Sequence, residues 1–374
     1  MLNFRKRAKL ILSFTLAIML LFPCFKADAL SAASAVLICA DTGEILYSKN
    51  AEDRLAMAST TKIMTALLLC ENVSLDKSVT VTAEQIRVEG TSMGLRAGDK
   101  VRAEDLLYGM LLTSGNDAAN VAAYAVSGST EKFVELMNKK AESLKLKNTH
   151  FATPSGLDAE DHFSTAFDMA MLARYALLNE DFAKAAAQKQ KTVTINDGTK
   201  KLYLVNHNKL LRTYDDVTGV KTGFTKKAGR CLVSSAEKNK KRVIAVTLND
   251  PDDWADHRKM LDLGLEAVSV QSVEPPIKNL RVNVIGGNKK NLCIPLKGHE
   301  LCSAAKAELT CKIETKQTVF APIKKGEELG TINFYSDGIL IMKTKILANK
   351  SIERKKDNRF KNYFDFLIFI FGRI

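Results

Sequence analysis

The chain has 374 residues, enough for two domains, with 46% hydrophobic and 26% charged residues and a formal net charge of +13. That excess of positive charge suits an anionic partner such as a membrane or cell wall. No helix-turn-helix, zinc-finger or aromatic RNA-binding pattern occurs, so nucleic acid is not expected as a partner. The histidines lack metal-ligand spacing and no CxxC is present, so no metal or organic cofactor is implied.

Residues 1–29 read as an export signal. Arg5 to Lys9 are basic, Leu10 to Phe22 are apolar, and Ala27-Asp28-Ala29 places small residues where a signal peptidase reads. The apolar run is shorter than the ~20 residues that span a bilayer, so cleavage is expected. Leu21-Phe22-Pro23 precedes Cys24 where a lipoprotein signal carries a small residue, so lipidation is not expected.

Residues 34–48 predict a hairpin around Asp41-Thr42-Gly43. Residues 59–70 predict a buried helix. Further helices are expected at Glu104 to Leu112, Asp117 to Val126, 130–144 and 165–178. Strands are expected at Val217 to Phe224, Cys231 to Ala236 and Val243 to Leu248. Strands at both ends with helices between predict an α+β fold, one antiparallel sheet covered by helices. Past Pro275-Pro276 the pattern changes to short strands with glycine turns: Leu280 to Ile285, Val319 to Ile323, Gly330 to Tyr335 and Ile339 to Lys345. A small all-β domain is expected there. At the end, basic Arg354, Lys355, Lys356, Arg359 and Lys361 precede Phe360, Phe364, Leu367, Phe371 and Ile374 on one helical stripe. A basic, aromatic amphipathic helix suits a membrane interface.

Without Cys24 six cysteines remain, which export would allow to pair. Cys39, Cys70 and Cys231 lie in apolar runs and are expected as buried free thiols. Of the rest, Cys302 and Cys311 are the first pair to check for a disulfide, which the sequence does not settle.

Ser59 stands where a helix would begin, with Lys62 one turn on, so both side chains share a face. A serine hydroxyl needs a base to become a nucleophile. A lysine followed by Ile63, Met64, Leu67 and Leu68 is costly to keep charged, and a neutral amine can be that base. Alone the pair is weak, because serine caps before a lysine are common. Two further elements strengthen it. Ser114-Gly115-Asn116 falls between two helices: Ser114 could relay a proton and Asn116 could orient Lys62 and bond a substrate carbonyl, although a simple capping turn would look the same. Lys221-Thr222-Gly223 falls on a strand. There Lys221 and Thr222 suit a terminal carboxylate, and Gly223 lets a substrate backbone lie alongside, against the plainer reading of a solvated strand end. The Ser59 and Phe224 N–H groups could form an oxyanion hole.

Together these segments resemble the three motifs of the penicillin-recognising serine enzymes. Ser59 to Leu67, Ser114 to Ala118, Gly156-Leu157-Asp158, His162 to Ala166 and Gly219 to Thr225 are most similar to the low-molecular-weight D-alanyl-D-alanine carboxypeptidases. The resemblance implies a serine β-lactamase/DD-peptidase-like fold. It implies Ser59 as the acylated nucleophile, Lys62 as its proton acceptor, Ser114 and Asn116 completing the proton network, and Lys221 binding the substrate carboxylate with Thr222, Gly223 and Phe224. The substrate implied is a peptidoglycan stem peptide ending in D-Ala-D-Ala, with β-lactams as covalent inhibitors. His162 is expected to hold a loop, not to catalyse. The organisation expected is a signal peptide (1–29), a catalytic domain (30–272), a small β domain (278–347) and a membrane-anchor helix (353–374), on the outer face of the cytoplasmic membrane.

Three alternatives compete with this reading. A class A β-lactamase needs a carboxylate with an asparagine partner after the second motif, and Glu160 has none. A DD-endopeptidase or transpeptidase on the same fold is poorly separated by sequence. A non-catalytic wall-binding or β-lactam-sensing module would be expected to lack a catalytic residue, and none is missing.

Overall fold

The computed structural model describes residues 30–304 and 307–355. The expected export signal, and all but the first residues of the expected anchor segment, lie outside these. Strands β1 (Ser34–Cys39), β2 (Ile45–Lys49), β3 (Val217–Thr225), β4 (Gly229–Lys238) and β5 (Lys241–Leu248) form one sheet in the order β2-β1-β5-β4-β3. All its pairings are antiparallel. β1 pairs with β5 from Ser34↔Leu248 to Cys39↔Val243, so the first and last strands of this sheet in chain order meet inside it. Every residue of β1 is buried, as its unbroken apolar run requires of a strand covered on both faces.

Helices α1 (Lys62–Asn72), α2 (Ala103–Leu111), α3 (Asn116–Ser127), α4 (Thr130–Ser143) and α5 (Ala166–Ala176) share one core with Val36, Ile38, Ile244 and Val246 of the sheet. On the opposite face lies α6 (Asp253–Ala267), where Gly264 lets the helix come close to Leu37 and Val243. Sequence periodicity missed α6, because its buried Met260, Leu261 and Leu265 form a narrow stripe in a charged segment. α1 is buried on every side from Lys62 to Leu69. Each fully buried Leu, Ile or Met there contributes ~1.5–3 kcal/mol, and together they surround the first residue of the helix with low-dielectric material.

Past Ala267 the described chain is all β. Asn279–Ile285 pairs with Asn291–Pro295 and with Thr318–Phe320, and Leu309–Thr315, Glu328–Ser336 and Ile339–Leu347 form a second small sheet. Val282, Ile323, Phe334 and Ile352 lie in its core. Val268–Val273, which precedes Pro275-Pro276, pairs with His299–Ala304. The architecture is α+β with a C-terminal all-β region. Among the described residues no helix is long and apolar enough to cross a membrane.

Cys302 and Cys311, the first pair to check, are not joined. Cys311 Sγ reaches the Glu274 carbonyl at 3.3 Å, while the Cys302 carbonyl accepts from Cys39 Sγ at 3.1 Å. The two strands that carry Cys302 and Cys311 join different sheets, which linear spacing does not reveal.

Candidate active site

Ser59 lies in a single 3₁₀ turn, Ala58–Thr61, that leads into α1. Ser59 is part-exposed, whereas Ala58, Thr60, Thr61 and Lys62 are buried. Ala58 is held at φ 47, a left-handed conformation costly for a residue with a Cβ. The segment after α4 holds this turn from one side. Gly156 packs against Ala58 and Thr61 with no room for a Cβ, and Thr61 Oγ1 donates to the Ala58 carbonyl at 2.8 Å. His162 Nδ1 accepts from the Ala152 N–H at 2.9 Å, so the proton of a neutral ring sits on Nε2, 2.8 Å from Thr61 Oγ1. Burial pushes the His162 pKa down to about 4, which keeps that ring neutral. His162 is therefore a brace for the Ser59 turn.

Lys62 Nζ has three partners: Ser59 Oγ at 3.0 Å, Asn116 Oδ1 at 2.7 Å and the Ser155 carbonyl at 2.6 Å. Burial, and then the nearby charge of Lys221, push the Lys62 pKa well below its usual range, against a smaller opposing pull from Asp117. A neutral amine carries two hydrogens and one lone pair. Two of the three partners are carbonyl oxygens, which can only accept. The two hydrogens therefore go to Asn116 and Ser155, and the lone pair faces the Ser59 hydroxyl. This is the geometry of a base poised for that proton. The Ser155 carbonyl is a backbone group, so no residue type in the sequence announces it.

The Ser114-Gly115-Asn116 loop is fixed from residues 89–95. Asn116 Nδ2 donates to the Glu89 carbonyl at 2.6 Å, which sets the amide so that its oxygen faces Lys62. Asp117 accepts from the N–H groups of Met93, Gly94 and Leu95 at 2.7, 3.0 and 3.1 Å and from the Ser92 hydroxyl at 2.6 Å. Ser114 sits at φ 59 and its carbonyl accepts from Thr91 Oγ1 at 2.7 Å. No hydrogen bond joins the Ser114 hydroxyl to Lys62, whose three contacts are to Ser59, Asn116 and Ser155; Ser114 lines the cleft.

The third segment lies on β3, the edge strand of the sheet. A Cβ on Gly223 would stand 3.1 Å from Met57 O, Ser59 N and Thr60 N, so a glycine here is what lets the strand abut the Ser59 turn. Lys221 is buried, with its ammonium on the Thr222 carbonyl at 2.7 Å, and burial pushes its pKa down to about 7. It lies behind the cleft wall, not on a solvated strand end. Thr222, Gly223 and Phe224 do line the cleft, which has a volume of about 300 Å³, together with Ser59 and Ser114.

Sequence reasoning missed the far wall. Arg230, paired across the sheet with Phe224, sends Nη2 and Nε to Asp253 Oδ1 at 2.7 and 2.9 Å. Its guanidinium lies 5.3 Å from the ring centroid of Trp254, and all three residues line the cleft. The only available signal was a Trp beside acidic residues 23 positions from an Arg, which is no motif. Glu160 is exposed and does not line the cleft, whose one carboxylate, Asp253, is already paired.

A family model for D-alanyl-D-alanine carboxypeptidases matches residues 24–252, and one for the C-terminal domain of penicillin-binding protein 5 matches residues 279–354. The chain is 37% identical to the D-alanyl-D-alanine carboxypeptidase DacF of Bacillus subtilis, covering 90% of this chain and 88% of the relative. It is 34% identical to DacC of Escherichia coli, covering 88% and 86%. Among solved structures, penicillin-binding protein 5 of Haemophilus influenzae superposes with a TM-score of 0.63 at 27% identity, over 87% of this chain and 98% of that one. The Streptomyces K15 DD-transpeptidase superposes with a TM-score of 0.61 at 33% identity, over 64% of this chain and 98% of that one. A serine and a lysine one turn apart, closed in by an asparagine loop and an edge strand, thus stand on a matching fold and a matching sequence: the chain belongs to the D-alanyl-D-alanine carboxypeptidase family.

Proposed function

We propose that the protein is a serine-type carboxypeptidase that removes the terminal D-alanine from peptidoglycan stem peptides. The observation that carries this is the Lys62 lone pair directed at the Ser59 hydroxyl by two carbonyl partners. Ser59 Oγ attacks the carbonyl carbon of the penultimate D-alanine while Lys62 takes the hydroxyl proton. The developing oxyanion is met by the N–H groups of Ser59 and Phe224. Collapse breaks the peptide bond, and Lys62 returns the proton to the leaving amine, with Ser114 lining the cleft beside it, leaving the acyl group on Ser59. Water then cleaves that ester. The substrate's terminal carboxylate is received by the Thr222 hydroxyl and the Arg230 guanidinium, with Lys221 adding positive potential from beneath. Asn116 holds Lys62 and offers its remaining amide hydrogen to the substrate. β-Lactams enter the same sequence and acylate Ser59. The absence of an unpaired carboxylate from the cleft lining argues against a β-lactamase, which must activate water to clear the acyl-enzyme quickly.

The basic, phenylalanine-rich tail and the signal at residues 1–29 support export and peripheral attachment to the outer face of the cytoplasmic membrane. Deleting residues 353–374 should move the protein from the membrane fraction to the soluble fraction; continued sedimentation with membranes would refute the anchor.

The activity is tested with a fluorescent penicillin and a pentapeptide ending in D-Ala-D-Ala. Wild type should be labelled and should release free D-alanine, and Ser59→Ala should do neither. Labelling that survives the substitution would remove Ser59 as nucleophile. Hydrolysed penicillin beside intact pentapeptide would replace the carboxypeptidase with a β-lactamase.

A further inference from the structure

Two cysteines that the chemistry above leaves unused face each other across the seam between the catalytic sheet and the C-terminal β region. Cys39 is the last residue of β1, paired with Val243, and Cys302 lies on His299–Ala304, paired with Val270. They are 263 residues apart in sequence, and both are buried. Cys39 Sγ donates to the Cys302 carbonyl at 3.1 Å, and Cys302 Sγ accepts from the Arg242 N–H at 3.4 Å. The two side chains lie against one another, close enough for each to perturb the other's titration. The other thiols near carbonyls point elsewhere, Cys231 toward Ala56 and Cys311 toward Glu274.

Around this pair the seam is polar. The Asp41 carboxylate accepts from the Cys302 N–H at 2.7 Å and from Arg242 at 2.7 Å. Glu44 accepts from the Ala304 N–H at 3.0 Å and from Ser336 at 3.2 Å, and Arg174 donates to the Ile341 carbonyl at 3.1 Å. These bonds hold the segment that follows Cys39 against the strand that carries Cys302. We propose that Cys39 and Cys302 are a disulfide site, a covalent clasp that locks the C-terminal β region onto the back of the catalytic sheet under oxidising conditions.

The oxidant is a small or protein disulfide. One thiolate attacks a sulfur of that disulfide, forming a mixed disulfide and releasing one thiol; the second cysteine displaces the other half as a second thiol. The external disulfide gains two electrons and the two cysteine protons, and one S–S bond is exchanged for another. The contact with Cys302 lowers the Cys39 pKa, while that same contact and burial raise Cys302, so Cys39 attacks first. Because both sulfurs are buried, the reaction belongs to folding or to local opening of the seam. A cross-link closing so long a loop removes much freedom from the unfolded chain.

The full chain, unfolded in reductant and refolded in a mixture of reduced and oxidised glutathione, tests the proposal. Thiol titration in denaturant should show the loss of two thiols, and peptide mass mapping without reduction should find the Cys39 and Cys302 peptides joined. Protease nicking near Pro275 should then give one band without reductant and two with it. Cys39→Ser should keep the chain unlinked, and substitution of the exposed Cys293 should change nothing. Unchanged thiol titre, or a linkage map in which Cys302 joins another cysteine, overturns the proposal. The wild-type map decides the matter even where Cys39→Ser fails to fold, and neither result depends on the chemistry assigned to Ser59.

Discussion

Placing alanine at position 156 would put its Cβ 2.6 Å from the Ala58 carbonyl carbon and 2.8 Å from the Thr61 hydroxyl. Both distances fall well inside ordinary contact, and the obstacle is backbone, so the turn itself must retreat. Gly156 also sits at φ 85, where a residue with a Cβ costs ~1–2 kcal/mol. Relieving the contact requires a shift of about 1 Å in the turn that carries Ser59, and a misplacement of that size costs ~10²-fold in rate. That corresponds to ~2.7 kcal/mol of barrier. Gly128 supplies the control. It caps α3 at φ 80, and a Cβ there meets nothing within 4 Å, so Gly128→Ala carries only the conformational cost. The assay is the second-order rate of acylation by a fluorescent penicillin, with thermal melting beside it. Gly156→Ala should acylate ~10²-fold more slowly, and Gly128→Ala should melt earlier yet acylate like wild type. Equal rates for Gly156→Ala and wild type would refute the idea that this glycine positions the nucleophile. A matching loss in Gly128→Ala would assign the effect to general destabilisation.

Lys62→Met should cut acylation by ~10²–10⁴-fold, the usual worth of a general base, without lowering the melting temperature, because it removes a buried amine. With the Lys62 pKa depressed, wild-type acylation should hold steady as pH falls from 10.5 and decline only at the lower folded value; a rate limb at the ordinary lysine position would contradict this. Lys221 titrates at about 7 when folded and near 10.5 when unfolded, so between these values the unfolded state holds the extra proton and stability rises with pH. Lys221→Met should flatten that rise in melting curves recorded from pH 7 to 10. Arg230→Gln should raise KM for pentapeptide more than it lowers kcat, and should narrow the preference for a free over an amidated C-terminus; an unchanged KM would remove Arg230 from carboxylate binding.

Much of the site was legible because its signals are local. Ser59 and Lys62 are one helical turn apart, and an apolar run after the lysine announces its burial. Ser114 to Asn116 lies between two amphipathic patterns, and Lys221 to Gly223 lies within a strand pattern. The predicted strands of the sheet and the helices α1 to α5 rest on the same short-range periodicity. The C-terminal β region was read less completely: Asn291–Pro295 and His299–Ala304 lack a clear apolar alternation, whereas Leu309–Thr315 carries one, with Leu309, Cys311 and Ile313 alternating with polar residues.

What the amino-acid order determined by itself was therefore chemical type at fixed local spacing: a serine, a lysine, an asparagine and a glycine-bearing strand, each on a nameable element. Tertiary structure alone decided which of them meet and in what protonation state. The Ser155 carbonyl fixes the Lys62 lone pair, Arg230 faces the cleft while Lys221 is buried behind it, and Cys39 meets Cys302 instead of Cys311. Such outcomes depend on backbone groups and on strands brought together across hundreds of residues. Packing and desolvation set them, and neither leaves a periodic mark in the chain.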